Sequence, residues 1–283
     1  MKRTDRIKLD FTRNWKLPGK ERLSRWLKPS QAFKQTINRG IVWLGAEDIA
    51  IYTGADSYIE WAILSNGTYE EEINKLIRIS LKDGENALDI GGNIGLQSIR
   101  MSQAVGKTGK VLAFEPLGYL REKFIKNIGL NKTANVTLLP FALSDEESEA
   151  DFIVDKKSWN QGTFSLSNKM QGDDKERVTI KIGDGISEIQ SLASLSLIKI
   201  DVEGFEFQVI RGLLKTIERL GPRIIFEYDE NYWRNNNQDL NDCYSLLRSL
   251  NYTFYQITSV GCEPIRLPGE IVGGNLFCIR EKQ

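Results

Sequence analysis

Chemistry in this chain concentrates where apolar runs end. Ala87-Leu88-Asp89-Ile90 breaks into Gly91-Gly92-Asn93-Ile94-Gly95 before the helical spacing of Leu96, Ile99 and Met101 begins. Glycine lets a backbone turn sharply and approach a ligand, and the N–H groups that open a helix favour a carboxylate-bearing one. Asp89, fixed beside that loop, would repel a pyrophosphate but attract an ammonium or a sulfonium. The expected ligand is therefore zwitterionic or cationic. A nicotinamide fingerprint would need glycine where Asn93 stands, which counts against a dehydrogenase. Glu115 ends the next apolar run, 26 residues after Asp89, about where a doubly wound fold sets an acid on ribose hydroxyls. A third run, Leu197 to Ile200, opens onto Asp201 and Glu203, and Glu227 closes a fourth. Asp201 shares strand parity with Lys199 and ends its strand, which makes it a candidate for the cleft; Glu227 either converges with it there or belongs to a solvated loop. Glu203 and Glu206 sit at a helix start, where compensation of the helix dipole explains them as well as a site does.

Composition narrows what those carboxylates can do. The chain has 283 residues and no histidine, which removes imidazole bases and the commonest zinc ligand. Any general base is a carboxylate, Lys or Tyr. Its 38 basic and 38 acidic residues cancel, so no chain-wide field holds nucleic acid by counterion release. Cys243, Cys262 and Cys278 lack metal-ligand spacing and are expected to be buried, inert thiols. No apolar run approaches the ~18 residues of a spanning helix, and a cytoplasmic setting is expected. The neutral total hides a basic leader: residues 1–40 carry 12 Lys and Arg against Asp5, Asp10 and Glu21, interleaved with Trp15, Leu23 and Trp26. That mixture suits an anionic membrane or an acidic partner, though a solvated leader would read the same way.

These residues need a scaffold. Ile41–Leu44 and Ile49–Tyr52 predict a small hairpin, and Tyr69 to Leu81 a helix that runs into a strand at Asn86–Ile90. From there strands and helices alternate: strands at Val111–Phe114, Val136–Ala142, Leu195–Ile200, Arg223–Phe226, Thr253–Ile257 and Leu276–Ile279, with helices at Leu117–Ile128, Phe205–Leu220 and Cys243–Leu250. The rhythm predicts a doubly wound, mostly parallel α/β sheet with helices on both faces. Residues 144–184 break it with polar sequence and two period-2 pieces, and are expected to form an inserted hairpin or flap, whose Trp159, Asn160 and Ser165 are candidates to touch substrate or simply the aromatic and polar residues common at loop tips.

The ordered motifs resemble those of the FkbM family of S-adenosylmethionine-dependent methyltransferases, in the Rossmann-like class I group. Gly67-Thr68-Tyr69-Glu70 is similar to its Gly-x-Tyr-Glu approach, Asp89 to Gly95 to its glycine loop, and Phe114-Glu115-Pro116 to its Phe-Glu-Pro strand end. Ala142-Leu143-Ser144-Asp145 and Lys199-Ile200-Asp201-Val202-Glu203-Gly204 complete the set. The resemblance implies a seven-stranded Rossmann-like domain over residues 67–283, with 1–66 as an appendage. It implies S-adenosyl-L-methionine as cofactor, its methionine end held by Asp89, Gly91 and Gly95 with Glu70, Gly92 and Asn93 alongside. Glu115 would take the ribose, and the Phe141 to Leu143 segment, with Ala142, the adenine side. Gly92 stands where alanine is usual, which is expected to loosen the loop. The reaction expected is methylation of a hydroxyl on a saccharide or other small metabolite, with Asp201 or Glu227 as base, Lys199 orienting Asp201, and no metal required. The alternative from another class is a nucleoside-binding scaffold that keeps the fold without catalysis.

Overall fold

The protein, represented by a computed structural model, is described for residues 40–54, 57–153, 175–271 and 273–281, with Ile7, Phe11 and Thr12 besides. The remainder of the basic leader and the expected flap contacts Trp159, Asn160 and Ser165 lie outside the described residues. The predicted hairpin is β1 (Gly40–Leu44) paired antiparallel with β2 (Ile49–Thr53). After it come α1 (Tyr58–Asn66), α2 (Glu71–Ser80) and β3 (Asn86–Ile90). The alternation continues through α3 (Leu96–Val105), β4 (Lys110–Phe114), α4 (Gly118–Leu130) and β5 (Val136–Leu139). Three strands, β6 (Ala142–Ser144), β7 (Ser148–Ile153) and β8 (Lys175–Ile182), then form a separate small sheet in the order β6-β8-β7.

A short helix, α5 (Ser187–Gln190), leads to β9 (Leu197–Ile200), α6 (Glu206–Gly212), α7 (Leu214–Leu220) and β10 (Arg223–Tyr228). The chain finishes with α8 (Glu230–Asn235), α9 (Leu240–Ser249), β11 (Tyr252–Thr258), β12 (Gly261–Ile265) and β13 (Gly274–Arg280). The main sheet has the order β12-β11-β13-β10-β9-β3-β4-β5. Its strands β5, β4, β3, β9 and β10 run parallel, and β13 lies antiparallel between β10 and β11. Eight strands stand where seven are expected; the extra one, β12, is an edge strand containing Pro264, which sequence alone argues out of a sheet. It also carries Cys262, which is exposed, whereas Cys243 and Cys278 are buried as expected.

Two further expectations are corrected. The strand predicted over 136–142 splits between the two sheets, because Pro140 cannot donate to a ladder and the chain turns there. The helix predicted over 205–220 breaks at Leu213. Gly212 there lies so close to the exit of β6 that a Cβ would come within 2.0 Å of the Ser144 carbonyl oxygen.

Strand parity fixes which side chains reach the site. Leu88, Leu112, Ile198 and Ile224 pack against α6, α7 and α9. Ala87, Val111, Leu197 and Ile225 face α2 and α3 on the other side. Continuing that second parity to the carboxyl ends gives Asp89, Glu115, Lys199, Asp201 and Glu227 on one face. Because α2 ends beside the amino edge of β3, its own N-terminus lies at the carboxyl edge, which delivers Glu70 to the same place.

The N-terminal elements are part of this core. Leu44, Ile49, Ile51 and Ile63 cluster with Ile94, Leu96, Ile99 and Leu120, and with Phe152 and Val178 of the small sheet. Asn131 and Asn127 on α4 cap the inner edge of the hairpin: the Ala50 and Tyr52 N–H groups donate to their side-chain oxygens at 2.8 and 2.7 Å. Arg100, 2 % exposed, donates to both carboxylate oxygens of Glu47 in the hairpin turn at 2.6 and 2.7 Å, and to the Tyr69 carbonyl at 2.8 Å.

Candidate active site

A cavity of about 1670 Å³ opens at the carboxyl ends of β3, β4, β9 and β10, roofed by Ser148, Ala150, Phe152 and Ile180 of the small sheet. The order of the main sheet reverses between β3 and β9, the position where open α/β sheets bind ligands. Of the residues singled out in the sequence, Glu70, Gly91, Asn93, Glu115, Ala142, Leu143, Asp201 and Glu227 line this cavity. Asp89, Gly92, Gly95 and Lys199 stand behind its wall and act through their neighbours.

The glycine loop is fastened from within. The Gly91 and Gly92 N–H groups donate to the Phe114 carbonyl at 3.0 and 2.9 Å, and the Gly95 N–H to the Gly92 carbonyl at 2.8 Å. Asn93, held at φ 49°, donates its N–H to Glu115 at 2.9 Å, while the Leu117 N–H donates to the other Glu115 oxygen at 2.9 Å. The acid at the end of β4 is thereby locked to the loop at the end of β3. Gly92 does not loosen this loop: a Cβ there would lie 2.7 Å from the Phe124 ring, which packs against it and against Gly95. Gly91 is required by close approach, since a Cβ would meet the Asp201 carbonyl oxygen at 1.9 Å. Asp89 is fully buried; the Ser98 hydroxyl donates to its Oδ2, and its Oδ1 has no partner.

Across the reversal the chemistry is acidic. Lys199, 3 % exposed, donates to Asp201 Oδ2 at 3.0 Å. Burial alone would favour loss of the Lys199 proton, but Asp201, Asp89 and Glu70 around it more than offset this and hold the ammonium above its usual range. Lys199 therefore stays a cation in direct contact with the Asp201 carboxylate. Glu227 is pushed up to about 8 by burial first, then by Asp201, Glu70 and Glu206. Glu203 is pushed up to about 9 by burial, then by Asp201 and Glu227. Burial also raises Glu115 to about 8, against the pull of its two N–H donors. Among the described residues, no group of three or more acids, Cys or His is placed to hold a metal ion.

Two residues gain roles that spacing alone did not separate. Glu206, 1 % exposed, takes the Val202 and Gly204 N–H groups at 3.0 Å each and the Trp233 indole N–H at 2.8 Å. It ties down the loop carrying Asp201 and Glu203, and burial raises its carboxyl to about 7. Glu203 lines the cavity at φ 53°. With Glu70 at φ 51° and Asn93, three non-glycine residues of the site are held in the left-handed region, a strain that elsewhere tends to mark function. Gln97, donating to Glu70 at 2.7 Å and accepting from Arg100 at 3.3 Å, fixes Glu70; polar residues inside a helix give no sequence signal for such a relay.

Comparison with known proteins gives a consistent answer. The profile described as Methyltransferase FkbM domain matches residues 89–254, more than half of the chain. A protein of Beauveria bassiana named Methyltransferase 1 is 24 % identical over 185 residues, which cover 59 % of this chain and 73 % of that one. Among solved structures, a methyltransferase FkbM from Methylobacillus flagellatus aligns at TM-score 0.44 and 13 % identity, covering 78 % of this chain. The chain spans 53 % of the length of that protein. An S-adenosylmethionine-dependent O-methyltransferase from Thermotoga maritima aligns at TM-score 0.41 and 12 % identity over 76 % of this chain and 67 % of its own. No helix among the described residues is long and apolar enough to cross a membrane.

Proposed function

The chain belongs to the FkbM methyltransferase family, whose methyl donor is S-adenosylmethionine, and we propose that it methylates a hydroxyl oxygen on a saccharide or other small metabolite with Glu227 as general base. The cavity fits that donor. Glu115 offers a carboxylate already oriented by two N–H groups, each oxygen retaining a lone pair for a ribose hydroxyl. Phe141, Ala142 and Leu143 supply an apolar flank for adenine, and the glycine loop lets backbone approach the methionine end, where Glu70 faces an ammonium. When bound, the cofactor supplies an electrophilic methyl group on a sulfonium sulfur.

The protein's share is alignment, proton removal and charge. Convergence of an acceptor and donor in one cavity can recover roughly 7–11 kcal/mol of barrier, and a placed base contributes a further ~10²–10⁴-fold. Asp201, ion-paired with Lys199, is committed to accepting hydrogen bonds. Glu227 has no such cation of its own, and its carboxyl, raised to about 8, is matched to taking a proton from a hydroxyl near neutral pH. The acceptor hydroxyl's proton would pass to a Glu227 oxygen as its oxygen takes the methyl group, the sulfur–methyl bond breaking to leave a neutral thioether, and the roof of the small sheet limits competition from water.

The observation carrying this reading is the placement of Asp201 and Glu227 on one wall of the cavity, with Glu115 and the glycine loop also lining it. The test has two stages. Calorimetry with S-adenosylhomocysteine on the wild type and Glu115→Ala should show binding and its loss. A methyl-label screen of hydroxylated acceptors should then find oxygen-linked product in the wild type and far less in Glu227→Gln. Label recovered on nitrogen or carbon would overturn the proposed acceptor atom.

A further inference from the structure

The cavity has far more negative side chains than its cofactor needs. Among the described residues eight acidic side chains line it, against two cations, Lys123 and Arg211. Both cations are already matched: Lys123 to Glu60 at 2.8 Å and Arg211 to Asp145 at 2.6 Å. Lys199, behind the wall, is matched to Asp201 at 3.0 Å. S-adenosylmethionine brings one net positive charge, from a sulfonium and an ammonium less a carboxylate. That charge belongs near Asp89 and Glu70, on the glycine-loop side of the sheet reversal. Glu203, Glu227 and Asp229 come from the exits of β9 and β10 on the other side, where the acceptor must enter, and among the described residues no unpaired cation lines the cavity beside them.

A second, independent feature of the cavity wall asks for a donor. Gln208 lines the cavity at 8 % exposure, and its side-chain oxygen has no hydrogen-bond partner. A buried acceptor without a partner is unfavourable, and a turn of the Gln208 amide toward a ligand N–H or O–H in the cavity would satisfy it. Tyr232 and Asn236 complete this end; the Asn236 amide donates to the Gly204 carbonyl at 3.1 Å, leaving its own oxygen turned to accept.

Resting on the O-methyltransferase reading above, we propose that the acceptor is an aminated hydroxyl compound, of the amino-sugar or amino-alcohol class, whose ammonium is seated by Glu203. Carboxylated and phosphorylated acceptors are rejected by the same wall, because their negative charge would sit beside acids that already repel one another. Glu203 is the choice among the acids because Glu227 is needed as base, while Asp229 spends one oxygen on the Asn231 and Tyr232 N–H groups at 2.9 and 3.0 Å. Burial and repulsion already hold Glu203 toward its protonated form, and an entering cation lets it ionise.

The experiment uses matched triplets on three scaffolds, a hexose, a cyclitol and a short alkyl alcohol, each as amine, neutral and carboxylate member. Methyl-label turnover is measured with the wild type, Glu203→Gln and Glu203→Lys, each checked first for S-adenosylhomocysteine binding. The amine of at least one scaffold should be preferred by about tenfold or more over its neutral partner, with the carboxylate unused. Glu203→Gln should bring that ratio to about one, and Glu203→Lys should invert it in favour of the carboxylate. Equal use of amine and neutral members, turnover of carboxylates by the wild type, or no turnover of any amine overturns the proposal. Failure of the wild type to bind S-adenosylhomocysteine overturns instead the reading beneath it.

Discussion

The two halves of the cavity are built on opposite terms. Around β3 and β4 the loop backbone is tied down: the N–H groups of Gly91, Gly92, Asn93 and Gly95 are all accepted within the protein, and Phe124 fills the space beneath the glycines. Around β9 and β10 the protein tolerates discord, with Glu203 in a left-handed conformation and Asp201 raising the proton affinity of both Glu203 and Glu227. The first half can be rigid because its ligand never changes. The second stores unfavourable charge that only an acceptor and a departing proton relieve, so it trades stability for chemistry.

Predictions that break or sharpen this contrast differ in size. The largest belongs to the discordant half: Glu227→Gln should lower kcat by ~10²–10⁴-fold while leaving S-adenosylhomocysteine binding unchanged by calorimetry. If Asp201→Asn shows that loss and Glu227→Gln does not, the two acids exchange roles. Next comes the ordered half, where Glu115→Ala should weaken S-adenosylhomocysteine about 10- to 100-fold, the value of losing one or two charge-assisted hydrogen bonds. Unchanged affinity would remove Glu115 from the nucleoside site.

Gly92→Ala drives a methyl into Phe124 and should cost about 1–3 kcal/mol in denaturant unfolding, with part recovered by Phe124→Leu. A stabilised Gly92→Ala protein would mean that the ring moves aside freely. The smallest effect is in pH dependence. Glu115, Glu203 and Glu227 are all raised from 4.5 on folding, to about 8 or 9, so the folded chain prefers them protonated. Their contribution to stability is full below about pH 4.5 and is lost as pH rises through 8 to 9. Thermal midpoints should fall over that window, and Glu203→Gln should flatten the fall.

Legibility in the sequence followed the same division. The glycine loop, Glu115 and the strand Asn86–Ile90 were readable because period and turn chemistry are local. The helix α1 was not, since Glu60 through Ser65 are buried in succession and leave no apolar stripe to detect. The break at Leu213 depends on the distant Ser144 backbone, and the β5–β6 split on a second sheet that only the fold reveals. Within the site, residue types named carboxylates that the fold brings to one cavity, but not that Glu206 serves the loop while Glu203 faces the cavity. That distinction lies in the left-handed turn at Glu203 and Gly204 and in the Trp233 indole, none of which spacing encodes.

One contact far from the cavity has a practical consequence. The turn of the N-terminal hairpin grips Arg100 through Glu47, Arg100 steadies Gln97 and the Tyr69 carbonyl, and Gln97 holds Glu70. Anyone shortening this chain for expression should therefore keep the segment from Gly40 onward. A trimmed version lacking that strut would still own every motif of a methyltransferase and yet present its cofactor with a wandering Glu70.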